Sequence, residues 1–213
     1  MRTLPLADEL FLIGHDEYTG KSHVNHAILD SGLAGAVLGE LLLAGRVAIA
    51  DNRVVVRDDR PYGEVVSDAA LAEIVKQPDN HPVRAWVEYL RADVRDMVGG
   101  RLVQAGVVTR EESRGITLRT TVRYPAIDAI NAAAPRVRLR FLLDRDEPLD
   151  QQTAALAALV RASKLEHTVL VDTRRQQVRE LIARVTEPMH PYLHALAAGV
   201  EAAVAGVALT VRR

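Results

Sequence analysis

The sequence contains no cysteine and only three lysines, Lys21, Lys76 and Lys164. Without cysteine there can be no disulfide framework, no thiolate metal site and no cysteine nucleophile. Aromatic residues make up only 4% of the 213 residues and hydrophobic residues 48%, so the core must be built from alanine, valine and leucine. Because the net charge is −1, there is no global attraction to nucleic acid or anionic lipid, and such binding needs a local basic patch.

A nearly uncharged segment extends from Gly32 to Gly45, where the only charged residue is Glu40. A helix of this composition is apolar on all sides and belongs in the middle of a core. Gly32, Gly35 and Gly39 recur at helical spacing, and each costs a helix about 1 kcal/mol relative to alanine. Close packing of a neighbouring helix would offset this cost. The alternative, a phosphate-binding glycine loop, is disfavoured because the segment matches neither G-x-G-x-x-G nor G-x-x-x-x-G-K-[ST]. We therefore predict a buried central helix.

Two polar turns between short apolar runs predict two β-hairpins. The first is RVAIADNRVVVRD, in which apolar and polar residues alternate around Asp51 and Asn52. The second, TREESRGITLRT, again follows a helix that ends in Ala-Gly, so a helix-then-hairpin unit occurs twice. No linker rich in proline, glycine or serine divides the chain. The predicted fold class is mainly α: a single compact helical domain over residues 1–213, with a buried central helix rich in glycine, alanine and leucine and two short β-hairpins.

The signatures of the common catalytic and metal-binding sites are missing. His190 and His194 lie at i, i+4 and His23 and His26 at i, i+3, but Pro191 stands where a zincin has its glutamate. None of the five serines lies in G-x-S-x-G, and no dinucleotide-binding pattern is present. We therefore expect no catalytic residues, no metal site and no cofactor, and we expect that the protein is not an enzyme.

A charged stripe follows the long helix that apolar periodicity predicts over about residues 83–103. Arg84, Glu88, Arg91 and Arg95 fall at i, i+4, i+7 and i+11 along it. One interpretation is a solvated stripe in which the glutamate pairs with neighbouring arginines for a few tenths of a kcal/mol. The other is a phosphate site, because two guanidinium groups one turn apart match phosphate oxygens. Arg91 and Arg95 are the candidate pair for that chemistry.

Several motifs resemble the Golgi phosphoprotein 3 family over nearly the whole chain, from Leu4 to Val211. The most specific stretch is L-P-x-x-D-E-L-x-L-I, then a D-x-x-x-G loop, and then S-G-L-A-G-A-V-L-x-E-L-x-L-x-G-R. The resemblance implies a mainly helical peripheral membrane protein that recognises phosphorylated inositol lipid headgroups. In the eukaryotic members this lipid is phosphatidylinositol 4-phosphate on the Golgi, and the protein also captures the tails of glycosyltransferases.

The lipid pocket of the family can be carried over residue by residue. A tryptophan before the buried helix falls at Asn25, and the arginine of S-G-L-R-G falls at Ala34. Of two arginines on the later helix, one matches Arg95 and the other falls on Ala92, with Arg91 beside it as a substitute. The resemblance thus implies Arg95 and Arg91 as lipid-headgroup-binding residues. Without the aromatic residue and two of the cations, we expect weak, salt-sensitive binding that depends on lipid charge more than on phosphate position.

Two functions are consistent with the sequence. The first is a peripheral, non-catalytic adaptor that binds a phosphoinositide or another anionic headgroup; for this the resemblance also implies membrane-protein tails as partners and self-association through the second hairpin. The alternative is a soluble helical protein whose helix–hairpin units bind nucleic acid like winged helices, although the first helix lacks the polar residues of a reading helix.

No secretory signal is visible, so we expect a cytoplasmic protein, peripheral on the cytoplasmic face of a membrane. The preference for arginine over lysine is typical of a GC-rich genome, and we expect a bacterial member.

Overall fold

Helices dominate the computed structural model, which describes residues 4–77, 79–114, 120–145, 149–170 and 175–210. The helices, in chain order, are α1 (Leu6–Gly14), α2 (His26–Leu43), α3 (Val65–Lys76), α4 (Val83–Leu90), α5 (Val94–Gln104), α6 (Ala129–Asp144), α7 (Gln151–Ala162), α8 (Glu166–Val169), α9 (Arg175–Thr186) and α10 (Pro191–Thr210). The strands are β1 (Val47–Ala50), β2 (Arg53–Val56), β3 (Glu111–Arg114) and β4 (Thr120–Arg123). The predicted fold class, mainly α with two small hairpins, is confirmed.

Helix α2 lies at the centre of the fold, as its composition predicts. Every residue from Ser31 to Leu42 is buried, and α1, α4, α5, α7 and α10 pack around the helix. A Cβ atom on Gly35 would collide with Val200 of α10, and one on Gly39 would lie 2.8 Å from Leu6 of α1. The glycines therefore let the neighbouring helices approach more closely than alanine would, which confirms the predicted small-residue face.

Glu40, the charged residue within this buried segment, connects α2 to three other helices. Its carboxylate accepts the backbone N–H of Ala7 in α1 at 2.8 Å and the hydroxyl of Ser67 in α3. Arg101 of α5 lies 3.8 Å from the same carboxylate and donates hydrogen bonds of 3.0 and 2.7 Å to Asp8. Because a buried charge is strongly destabilising without partners, this network accounts for a carboxylate in the core.

Two β-hairpins are present, as predicted, but the second is displaced along the chain: β3 occupies part of the polar stretch expected as its turn, and β4 begins at Thr120, the last residue of the predicted segment. Strands β1 and β2 pair antiparallel, and Asp51 and Asn52 adopt φ angles of 49° and 60°, as a tight two-residue turn requires. Strands β3 and β4 also pair antiparallel. The tip of this second hairpin, residues 115–119, lies outside the described residues, so self-association through it stays a prediction.

The two helix-then-hairpin units terminate their helices in the same way. After α2, the Gly45 N–H donates to the Leu42 carbonyl at 3.1 Å, and after α5 the Gly106 N–H donates to the Val103 carbonyl at 3.0 Å. Gly45 and Gly106 have φ angles of +68° and +69°. This is a Schellman ending, in which glycine adopts the left-handed conformation at low cost and reverses the chain into the strand.

The single long helix predicted over residues 83–103 is wrong, because the structure divides it into α4 and α5. Residues 91–93 form a turn between the two helices. Helix α4 buries Trp86, and helix α5 buries Val98. The predicted apolar positions recur every four residues, so the apolar face of a straight helix would rotate by about 40° at each step. The turn at residues 91–93 keeps the apolar faces of both helices on the core.

One helix in the described ranges, α2, is long and apolar enough to cross a membrane. However, 72% of that stretch is buried inside the protein. Its apolar side chains belong to the same cluster of buried residues as those of α1, α7 and α10. This is the behaviour of a core helix.

Candidate functional site

The loop between α1 and α2 is organised by Asp16 and Gly20, the ends of the D-x-x-x-G motif. The Asp16 carboxylate accepts the Thr19 backbone N–H at 2.7 Å, and its carbonyl accepts the Gly20 N–H at 2.8 Å. Gly20 has a φ angle of +62°, and a Cβ atom there would collide with the backbone of Tyr124 and Pro125. The Gly20 carbonyl accepts the Tyr124 N–H at 3.1 Å. The motif thus joins this loop to the end of β4.

A cleft of 250 Å³ lies where this loop meets α5 and the second hairpin. We refer to it as the Arg95 cleft. It is lined by His15, Gly20, Lys21, Ser22 and His26 of the first segment, Arg95 of α5, and Thr121, Val122, Arg123 and Tyr124 at the end of the hairpin. The lysine and arginines in this lining are Lys21, Arg95 and Arg123, and no acidic side chain is among the lining residues. Tertiary packing therefore assembles a cationic cleft from three separate segments.

The three cations differ in how they are held. Lys21 is exposed, whereas Arg123 is half-buried and its Nε atom is buried with no hydrogen-bond partner among the described residues. The Arg95 side chain is 25% exposed, and its Nε atom lies 3.4 Å from the Asp30 carboxylate. A buried donor without a partner is destabilising. None of the three cations has a hydrogen-bonded carboxylate partner among the described residues, so their charge is open to an anion in the cleft.

The two histidines of the cleft carry little charge at pH 7. Burial lowers the pKa of His15 to about 4. Its Nδ1 atom lies 2.8 Å from the Phe11 carbonyl, which can only accept, so Nδ1 carries the proton of the neutral ring. Burial, and to a lesser extent the charge of Arg95, holds the pKa of His26 below its usual range. The positive charge of the cleft at neutral pH therefore comes from lysine and arginine.

The structure places Arg91 in a different cleft from Arg95. Arg91 follows the end of α4 and lines a cleft of 370 Å³ with Arg84, Glu88 and residues of α10; we refer to it as the Arg91 cleft. Within it, Arg84 donates to Glu88 at 2.8 Å. The two arginines therefore line separate clefts rather than one shared cleft. Ala27 lines this second cleft, so the first turn of α2 lies between the two, and the role of both arginines as headgroup ligands stays a prediction.

The other positions indicated by the family resemblance lie outside the Arg95 cleft. Asn25 caps α2, and its side chain accepts the Ala27 N–H at 2.9 Å. Ala34 is fully buried in the core. Ala92 lines a groove of 440 Å³ between α3, α4 and α5. None of these three side chains can supply a charge to a ligand.

Two cations of the cleft, Lys21 and Arg123, were not predicted from the sequence. Lys21 directly follows the D-x-x-x-G motif in a chain with only three lysines, and this rarity is a signal that could have marked it. The sequence marks His26 only as a candidate metal ligand, through its spacing from His23. No local pattern marks Arg123, because its proximity to Arg95 depends on how the second hairpin packs against the first loop.

Two other kinds of site gain no support from the described residues. No group of three or more histidine, cysteine, aspartate or glutamate side chains lies close enough there to hold a metal ion. The ring of His190 stacks on Tyr192, and His194 Nε2 lies 3.4 Å from the Glu187 carbonyl oxygen. In the nucleic-acid alternative α2 would be the reading helix of the first helix–hairpin unit, yet this helix is buried from Ser31 to Leu42.

The part of the chain that forms the Arg95 cleft lies within a region that matches a known family. The sequence model of the family described as Golgi phosphoprotein 3 (GPP34) matches residues 6–207 of the 213-residue chain. The matched range begins at the first residue of α1 and reaches into the last turns of α10, so it includes the loop, the hairpin and the helix that form the Arg95 cleft. The chain therefore belongs to the Golgi phosphoprotein 3 family, a family of non-enzymatic adaptor proteins.

Proposed function

We propose that this protein is a peripheral membrane adaptor whose Arg95 cleft binds the phosphorylated headgroup of an anionic lipid. The observation that carries the proposal is the convergence of Lys21, Arg95 and Arg123 on one cleft with no acidic side chain in its lining. Guanidinium groups match phosphate oxygens in charge and geometry. A charge-assisted contact of this kind contributes about 1.5–3 kcal/mol. The cleft also adjoins the start of α2, where an anion gains about 0.3–1 kcal/mol from the helix dipole.

Exposed apolar side chains on the segments that form the cleft favour a membrane as the source of the headgroup. Tyr18 of the first loop is 75% exposed, and Ile127 and Ile130, which follow β4, are 60% and 85% exposed. The two segments are joined by a hydrogen bond of 2.9 Å from the Ala126 N–H to the Glu17 carbonyl. Apolar side chains beside cations suit a bilayer surface, because they enter the interface while the cations contact the headgroups.

The binding that we propose depends on lipid charge more than on the position of the phosphate. The cleft has no tryptophan, and Asn25 and Ala34 supply neither an aromatic surface nor a further cation. Arg91 adds a cation from the neighbouring cleft, across the first turn of α2. Cations spread over two clefts attract any acidic lipid, and salt screens them.

Flotation with vesicles tests this proposal, using phosphatidylcholine alone, with phosphatidylglycerol and with phosphatidylinositol 4-phosphate. Arg95→Ala should weaken association with both acidic vesicles by about tenfold or more, the equivalent of one charge-assisted contact. Lys21→Ala and Arg91→Ala should reduce it by smaller factors, because Lys21 is exposed and Arg91 lies in the second cleft. Raised ionic strength should weaken association of the wild type.

Arg140→Ala is the matched control, because Arg140 is exposed on α6 and does not line either cleft. Equal recovery of the wild type and Arg95→Ala would remove Arg95 from the site. Vesicles with phosphatidylinositol 3-phosphate in place of the 4-phosphate should recover the protein equally, and strong discrimination between these isomers would contradict binding governed mainly by charge.

An adaptor also needs a surface for a protein partner, and we assign this role to the groove between α3, α4 and α5. Its apolar lining includes Val66, Leu90 and Met97, and its charged lining residues, Glu73 and Asp93, are both acidic. A short segment that combines leucine with basic residues, as in the tail of a membrane protein, is complementary to both features. Fluorescence anisotropy with such peptides should show binding that Met97→Arg abolishes while vesicle association is retained. Equal binding of peptides with glutamate in place of the basic residues would contradict this assignment.

A further inference from the structure

Asp30 lies in the second turn of α2, directly behind the Arg95 cleft. Its side chain is only 15% exposed, and its Oδ1 atom lies 3.4 Å from Arg95 Nε. Arg95 Nε does not donate a hydrogen bond to this oxygen at that distance and orientation. The Asp30 Oδ1 atom is therefore buried without a hydrogen-bond partner. The carboxylate is therefore close enough to neutralise the cation at the centre of the proposed site, but it is not tied to it.

Other buried ion pairs of the fold are held more tightly. Arg101 donates hydrogen bonds of 3.0 and 2.7 Å to Asp8, and Arg138 donates one of 2.8 Å to Glu9. Those bonds join α5 and α6 to α1 and hold each arginine on its carboxylate. The pair of Asp30 and Arg95 lacks such bonds, so a ligand with better geometry can replace the carboxylate.

We propose that Asp30 is a built-in competitor for Arg95: its ionised carboxylate neutralises the guanidinium by charge alone, and its protonation leaves the positive charge of Arg95 to a phosphate ester. This inference rests on the proposed function of the Arg95 cleft. It makes anion binding pH-dependent, because one proton is taken up by Asp30 when the phosphate replaces it.

The charges around Asp30 agree with such a switch. Burial raises the pKa of Asp30 to about 6, and Arg95 lowers it by less than burial raises it. Asp96 of α5 adds to the rise, and Arg91 opposes it from the turn before that helix. On α2 itself, His26 lies one turn earlier, and its pKa is lowered by burial and by Arg95. As the pH falls through about 6, Asp30 becomes neutral and its repulsion of an anion ends.

The reduction in anion affinity that ionised Asp30 can cause has an upper limit. With a pKa of about 6, Asp30 is protonated in only a small fraction of molecules at pH 7.4. If binding required the protonated form completely, the apparent affinity would be reduced by roughly 25-fold at that pH. We expect Asp30→Asn, which mimics the protonated acid in shape and charge, to bind anionic vesicles between about threefold and 25-fold more tightly than the wild type at about pH 7.4.

The probe must itself keep a constant charge across the titration. A phosphomonoester gains or loses a proton near pH 6 and would obscure the effect. Phosphatidylglycerol vesicles are suitable, because a phosphodiester has no second ionisation. Soluble glycerophosphoglycerol forms a second arm, which separates the phosphate ester from the membrane as the source of the ligand. A gain for Asp30→Asn on vesicles alone, or on both probes, supports the competition, and no gain on either overturns it.

The pH profile supplies the second measurement. Wild-type association should weaken as the pH rises through about 6, and Asp30→Asn should lose this dependence. His26→Gln should keep it, which separates Asp30 from the nearby histidine. Asp144→Asn removes an equal charge from an exposed residue of α6 outside the cleft, and it should leave both affinity and profile unchanged. Circular dichroism checks that each variant is folded.

Failure of this inference can be told apart from failure of the proposed function. If Arg95→Ala weakens association but Asp30→Asn binds like the wild type with the same pH profile, the cleft binds anions and the competition is wrong. If Arg95→Ala has no effect on vesicles, the proposed function fails first, and an unchanged Asp30→Asn then overturns the competition as well. Tight binding by Asp30→Asn where the wild type binds weakly would support both.

Discussion

At the scale of single residues, Asp30 has an effect on stability that can be measured without any ligand. Its pKa in the folded protein, about 6, lies above its ordinary value of 3.8. The ionised carboxylate is therefore disfavoured by folding, and stability is lost as the pH rises from about 4 to about 6. After allowance for screening by solvent at its exposed edge, this loss is about 1–2 kcal/mol. Asp30→Asn should match the wild type at about pH 4 and exceed it by this amount at about pH 7.5, as measured by urea unfolding. A constant difference across this range would show that Asp30 does not titrate as described.

Replacing a helical glycine by alanine should lower the stability of the fold at one position and raise it at another. A Cβ on Gly35 would collide with Val200 and lie 3.1 Å from Leu159, whereas a Cβ on Gly100 would meet nothing within 4 Å. We expect Gly35→Ala to destabilise the fold by about 1–3 kcal/mol through overpacking. We expect Gly100→Ala to stabilise it by up to about 1 kcal/mol through helix propensity. Thermal unfolding of both variants is the measurement, and an unchanged melting temperature for Gly35→Ala would argue against close packing on α2.

At the scale of elements, Arg101 of α5 fastens that helix to α1 and α2. Its side chain is 15% exposed, and its guanidinium lies within 4 Å of Asp8, Glu40 and Glu64. Arg101→Met would leave Asp8 and Glu40 buried without their cation, at a cost of about 3–5 kcal/mol. Burial already raises the pKa of both carboxyls, and the charge of Arg101 opposes the rise. Removing the arginine should raise these pKa values further, so the variant should be least stable at neutral and higher pH and recover partly as the pH falls.

The matched change for this prediction is Arg84→Met. Arg84 is 53% exposed and pairs with Glu88 at i, i+4 on the surface of α4. An exposed pair of this kind contributes only about 0.3–0.5 kcal/mol. Denaturant unfolding of the two variants at two pH values should separate them clearly. If both variants lost the same small free energy of unfolding, Arg101 would contribute no more than an exposed ion pair. The buried network would then have no part in holding α5.

At the scale of the whole molecule, the exposed apolar side chains near the Arg95 cleft define the surface that we expect to meet the membrane. Ile130→Asn should weaken vesicle association by about fivefold, because about 1 kcal/mol of apolar burial is lost. Val65→Asn is the control, since Val65 is 76% exposed but lies on α3 and does not line the cleft. Vesicle flotation measures both variants. Equal losses for Ile130→Asn and Val65→Asn would mean that the protein has no preferred membrane-facing surface.

The sequence by itself determined the elements whose cause is local. Composition placed α2 in the core, because a segment with one charge between Gly32 and Gly45 has no face to offer to water. Asp51 and Asn52 mark the first hairpin, since they tolerate positive φ. The Ala-Gly ends of α2 and α5 mark Schellman endings that reverse the chain. The resemblance to the family also rested on contiguous motifs, and the match over residues 6–207 confirmed it.

Only the tertiary structure decided where α4 ends, which cations meet and what opposes them. The turn at residues 91–93 exists because two helices must each present an apolar face to the core, a requirement that no single window of sequence contains. It places Arg91 and Arg95 in separate clefts and leaves Arg95 beside Asp30. Lys21 and Arg123 join Arg95 from segments distant in sequence, through packing of a loop against a hairpin. The pattern of side chains along the sequence determines which helix face is apolar and where the chain turns. The distances between side chains on different helices follow from how all the helices pack together.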